Sequence, residues 1–217
     1  MSNKILGVIF DLDGVIVTTD NCHYLAWKRM ADEEGIPFDR KVNERLRGVS
    51  RMESLAIILE KAKRVYTNEE KQALAARKNG YYVELIGGLT EKDILPGAMD
   101  TLNLLKEKKI KIAIGSSSRN TPVILKQIGL GQAFDAVADG NAIKNSKPDP
   151  EVFLLAASML NLPPENCLVV EDADAGVAAA LAGDMRVLGV GSAAANPAAT
   201  YTASSLLDAD IETIING

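Results

Sequence analysis

The sequence predicts an α/β protein built on a doubly wound parallel sheet, with a second, α-helical domain inserted into it. Three observations predict this. Short runs rich in Ile and Val alternate with stretches of helical periodicity, the interval after the first run holds helix alone, and polar motifs recur where the runs end. The runs are "KILGVIF" (4–10), "KIAIG" (111–115), "FDAVA" (134–138), "CLVVE" (167–171) and "RVLGV" (186–190). Short, nearly continuous apolar runs of this kind fit strands covered on both faces. Helical stretches at 97–108, 121–128, 150–160 and 173–182 separate most of them. Strand–helix alternation winds into a parallel sheet.

The interval from about 20 to 86 breaks the alternation. His23, Trp27, Met30 and Ala31 recur at i, i+4, i+7 and i+8, one face of a helix that "GIP" (35–37) ends. "SRME" (50–53) and "TNEE" (67–70) have the form of capping boxes, each opening a further helix. The expected organisation is a core domain of 1–17 and 88–217 with a helical cap of 18–87 over the sheet's carboxyl edge. Hinges are expected at 17–19 and near Gly87-Gly88, although a Gly-Gly pair serves equally as a helix terminator.

With 217 residues, 47% of them apolar, the chain can bury a sizeable core. A net charge of −5 and a pI near 5.1 argue against a nucleic-acid or anionic-membrane partner. No apolar stretch approaches a bilayer span, and the N-terminus lacks a signal peptide's basic flank and cleavage site. A cytoplasmic protein is expected. Cys22 and Cys167 are too few for a disulfide framework and lack metal-ligand spacing, so both are expected as reduced thiols.

In doubly wound sheets, ligands bind beyond the carboxyl ends of the strands. Asp11 and Asp13 follow the first run, "GSSSRN" (115–120) the second, and "EDADAG" (171–176) the fourth; "SKPDP" (146–150) lies between. Any one of these alone reads as a solvated turn. Gathered on one edge, Asp11, Asp13, Glu171 and Asp172 would repel one another unless a cation sat among them. Oxygen ligands with room for water and phosphate suit Mg²⁺. Lys147 can neutralise part of the cluster, the Ser116 hydroxyl can hold phosphate oxygens, and a carboxylate so placed can attack phosphorus.

In this order along the chain, "DLDG", Ser116, Lys147 and the pair Glu171-Asp172 resemble the four signatures of the haloacid dehalogenase superfamily. The resemblance implies a Rossmann-like core. It implies Asp11 as nucleophile, Asp13 as general acid/base, and Mg²⁺ held by Asp11, the Asp13 carbonyl, Glu171 and Asp172. The second aspartate is implied to separate phosphotransferases from true dehalogenases.

"HYLAWK" (23–28), "RGVSR" (47–51), "RKN" (77–79), "SSSRN" (116–120) and "SKPDPEVF" (146–153) resemble one branch of that superfamily over nearly the whole chain. Its members interconvert β-glucose 1-phosphate and glucose 6-phosphate through β-glucose 1,6-bisphosphate. A bisphosphate that binds in two orientations needs two anion pockets. Asp11, Mg²⁺, Ser116 and Lys147 would form the transfer pocket. The resemblance implies Arg51, Ser118, Arg119 and Asn120 for the distal one, with Arg51 at the start of a helix whose positive end favours the same phosphate. Resemblance also assigns Thr19, Trp27, Arg47, Gly48, Val49, Ser54 and Lys78 to the substrate, and His23 to coupling the cap with the acid/base. Thr18 stands where an aspartate is common, and Arg47 where a lysine is usual. The expected partner is a small phosphosugar, with no nucleic acid and no membrane, and the chain is expected to act as a monomer. The nearest rival is a Mg²⁺-dependent sugar-phosphate phosphatase, in which water takes the phosphoryl group. A phosphorylated receiver module would need no cap.

Overall fold

The computed structural model describes residues 4–46 and 50–217. The chain divides into two compact units, one running to Thr18 and resuming at Thr90–Gly217, the other Thr19–Leu89.

The first unit is a six-stranded sheet in the order β3-β2-β1-β4-β5-β6 with every pair parallel. Its strands are β1 (Gly7–Phe10), β2 (Lys111–Gly115), β3 (Ala136–Ala138), β4 (Cys167–Glu171), β5 (Arg186–Gly189) and β6 (Tyr201–Thr202). The central strands β1 and β4 are buried throughout, as unalternating apolar runs require. Val8, Ile9 and Phe10 of β1 are inaccessible, and so are Leu168, Val169 and Val170 of β4. β6 was not expected. It is two residues long and partly exposed, so it carries no hydrophobic pattern.

The second unit is helical. It holds α1 (Asp20–Glu33), α2 (Arg40–Glu44), α3 (Arg51–Leu59) and α4 (Asn68–Ile86). α3 and α4 begin at complete capping boxes: Ser50 and Thr67 each accept from the amide three residues on, and Glu53 and Glu70 reach back. α1 ends where Gly35 adopts φ +65°, the left-handed conformation a glycine takes without strain. The unit closes on Trp27, Met30, Phe38, Leu55, Ile58 and Leu74. Its outer surface is clasped by Arg77 to Glu33 and Glu34, and by Arg29 over the Tyr81 ring at 3.9 Å.

In the first unit, α5 (Ala98–Glu107), α6 (Thr121–Gln127), α7 (Glu151–Met159) and α8 (Asp174–Ala182) alternate with the strands, and a short α9 (Ile211–Asn216) ends the chain. Among the described residues no helix is long and apolar enough to cross a membrane.

Candidate active site

The parallel register places the chemistry. β1 lies between β2 and β4, so the residues after Phe10, after Gly115 and at Glu171 emerge on one sheet edge. The Asp11 amide donates to the Val170 carbonyl at 2.9 Å, extending that pairing into the loop. Asp11 is 8% exposed. Lys147, just before α7, reaches into the same edge. Its Nζ donates to Asp11 Oδ1 at 2.5 Å and to Glu171 Oε1 at 2.7 Å.

Two glycines make this packing achievable. Gly14 has φ +89°, and a Cβ there would fall 2.2 Å from Asp172 Oδ2. The loop after β1 and the Asp172 side chain therefore touch at a point that admits no side chain. On α8, a Cβ at Gly176 would fall 1.8 Å from Glu171 Oε1. Neither glycine was singled out from the sequence, although both stand inside the quoted motifs.

Glu171 is tied down on both oxygens. Oε1 accepts from Lys147, while Oε2 accepts from the amides of Asp172 (2.6 Å) and Ala173 (2.9 Å). Burial raises the Asp11 carboxyl above the ordinary carboxylate range, and the Glu171 and Asp13 charges add to the effect of burial. Asp172 is raised likewise, by burial and then by Asp11, Glu171 and Asp13. Burial alone would lower Lys147, but the Asp11 and Glu171 carboxylates outweigh it and keep the ammonium charged. One cation thus faces an excess of carboxylates. Among the described residues, no three His, Cys, Asp or Glu side chains converge as an ion site by themselves. The Asp11 and Asp172 carboxylates, which act on each other, offer hard oxygens on this edge. That set fits Mg²⁺, which is commonly held by one or two carboxylates with waters and phosphate oxygens.

The loop after β2 is built to present polar groups. Ser116 Oγ accepts the Ser118 amide at 3.2 Å, which leaves its own proton to donate. Ser118 Oγ accepts the Asn120 amide at 3.2 Å. Arg119 Nε donates to the Gly140 carbonyl at 3.2 Å, fastening the loop to the end of β3.

The residues expected to meet the substrate from the helical segment lie in the second unit. Arg51, the first residue of α3, donates to Asn79 Oδ1 at 2.8 Å. Lys78 is buried, as are Thr19, Trp27 and Ser54. Its Nζ lies 2.8 Å from His23 Nδ1. Burial, then the Arg51 charge, lowers Lys78 to about 7. Arg47, Gly48 and Val49 lie outside the described residues.

The model of the haloacid dehalogenase-like hydrolase family matches residues 5–184. The chain belongs to this family. Among relatives, it is 50% identical to the β-phosphoglucomutase of Bacillus subtilis over 186 residues, which covers 85% of this chain and 82% of that protein. It is 35% identical to a phosphorylated carbohydrates phosphatase of Thermotoga maritima, covering 84% of each. Among solved structures, a β-phosphoglucomutase from Clostridium difficile superposes with a TM-score of 0.88 at 43% identity, covering 98% of this chain and 96% of that one. In this sheet Asp11 and Asp13 follow β1, Ser116 follows β2, Glu171 ends β4, and Lys147 reaches Asp11 and Glu171.

Proposed function

We propose that the protein is a β-phosphoglucomutase that interconverts β-glucose 1-phosphate and glucose 6-phosphate through β-glucose 1,6-bisphosphate. The observation that carries this reading is the 50% identity, over most of both chains, to a protein of that name. The phosphatase relative is more distant, at 35%.

The residues account for the chemistry. Asp11 attacks a phosphorus of the bisphosphate, the P–O bond to the sugar breaks, and an aspartyl-phosphate forms. Asp13 gives a proton to the departing sugar oxygen and later takes one from the hydroxyl that attacks the phosphoenzyme. Lys147 keeps Asp11 aligned and offsets phosphoryl charge, while the Ser116 hydroxyl donates to a phosphoryl oxygen. Asp11, the Asp13 carbonyl, Glu171 and Asp172 would hold a Mg²⁺ ion that supplies Lewis-acid neutralisation of the phosphoryl group. The carboxylates of the edge are then divided between metal, lysine and proton transfer. Arg51, Ser118, Arg119 and Asn120 serve the non-reacting phosphate, and Thr19, Trp27, Ser54, Lys78 and His23 the sugar and the acid/base, with Arg47, Gly48 and Val49 assigned by resemblance alone.

One assay tests the reading. Protein supplied with β-glucose 1-phosphate, Mg²⁺ and a trace of the bisphosphate should yield glucose 6-phosphate with little free phosphate. Release of one phosphate per sugar consumed would make it a phosphatase instead.

A further inference from the structure

Inside the helical unit, α1 and α4 bring together two pairs spaced i, i+4: His23 and Trp27 on one helix, Lys78 and Tyr82 on the other. Tyr82 is 2% exposed and Lys78 3%. Lys78 Nζ lies 4.7 Å from the Trp27 ring centroid and 4.8 Å from that of Tyr82, with His23 Nδ1 at 2.8 Å. The Tyr82 ring stacks on the His23 imidazole, centroids 4.1 Å apart and planes at 30°. Its hydroxyl is hydrogen-bonded to Thr19 Oγ1 at 3.0 Å. Thr19 is also the residue whose carbonyl accepts the His23 amide, at 2.9 Å. Tyr82 thus holds the histidine through its ring face and, by way of Thr19, steadies the backbone turn that carries it.

The contact between Lys78 and His23 fixes a proton. An ammonium offers protons and has no lone pair, so against charged Lys78 the Nδ1 atom must accept. Burial, with Lys78 and Arg51 adding to it, holds His23 well below its ordinary value, so the ring is neutral and its one proton sits on Nε2. A half-turn of the imidazole would put a carbon against Lys78 in place of Nδ1. The stacked phenol ring opposes that rotation. Arg51 also acts on the pair, and the rings of Trp27 and Tyr82 lie against the Lys78 ammonium.

We propose that Tyr82 is a positioning residue, clamping His23 so that Nδ1 accepts from Lys78 and Nε2–H is left as the donor. The effect on turnover rests on the mutase function proposed above; the state of the ring does not.

His23 is the only histidine in the chain, so selective ¹⁵N labelling of histidine reports it alone. At about pH 6, below the point where Lys78 loses its charge, the wild type should show an unprotonated Nδ1 and a protonated Nε2 as two separate signals. Y82L should draw the two signals toward a tautomeric average and let the ring titrate closer to an ordinary histidine. It should also lower kcat by on the order of tenfold, with KM less affected, against the roughly 10²-fold cost of misplacing a reacting group by 1 Å. Y82F keeps the ring and should restore the single tautomer and most of the turnover. A wild-type His23 protonated on Nδ1 would overturn the proposal, whether or not Y82L folds. So would Y82L with wild-type signals and turnover. A wild type that shows the stated tautomer and no mutase turnover would contradict the reaction rather than the clamp.

Discussion

Asp11 and Asp13 stand two residues apart at the end of β1, yet their surroundings differ. Asp11 is buried against Lys147, while Asp13 is half-buried. Asp11→Asn should abolish the covalent phosphoenzyme, and Asp13→Ala should lower turnover by about 10² to 10⁴ while leaving the fold intact; single-turnover kinetics read both. Lys147→Ala would leave two buried carboxylates without their cation. It should cost about 3–5 kcal/mol of unfolding free energy at neutral pH, and an unchanged denaturant midpoint would argue against the bridge. Lys78 gives a prediction for pH. Its value is about 7 in the folded protein against an ordinary 10.5, so between those values the unfolded chain binds more protons. Stability should therefore rise as pH rises through this window, by up to about 1.4 kcal/mol per unit. Lys78→Met should flatten that slope, which urea unfolding at several pH values would reveal.

The elements were legible in the sequence where burial or capping leaves a pattern. β1, β2 and β4 carry unbroken apolar runs because both faces are covered, and the α3 and α4 starts carry capping boxes because the first amides need acceptors. β6 and α9 are too short to show a period. Of the edge, the polar motifs were readable, but the fit of Gly14 against Asp172 was not, because it depends on two loops far apart in sequence. Tyr82 was overlooked for the opposite reason. Its spacing from Lys78 reads as an ordinary helix face until α1 supplies His23 opposite. Thr67→Ala should remove the cap of α4 and cost about 1 kcal/mol, lowering the melting temperature by about 2–4 °C. Gly14→Ala should act differently: its clash falls on Asp172, so activity should be lost well before the protein unfolds.

At the scale of the molecule, the sheet gathers motifs from across the first unit, and the second unit carries a separate cationic and aromatic cluster around Lys78. In a chain with a net charge of −5, the buried carboxylates of Asp11 and Glu171 share one lysine, Lys147. The central claim is that Asp11 carries the phosphoryl group between two sugar oxygens. Mixing the protein with Mg²⁺ and β-glucose 1,6-bisphosphate labelled in its phosphates, quenching in acid within one turnover and mapping the label by mass spectrometry tests it directly. The account predicts label on the peptide containing Asp11, absent in Asp11→Asn, and discharged into sugar phosphate when glucose 6-phosphate is added. Label on another residue, or discharge into inorganic phosphate at the rate of turnover, would contradict it.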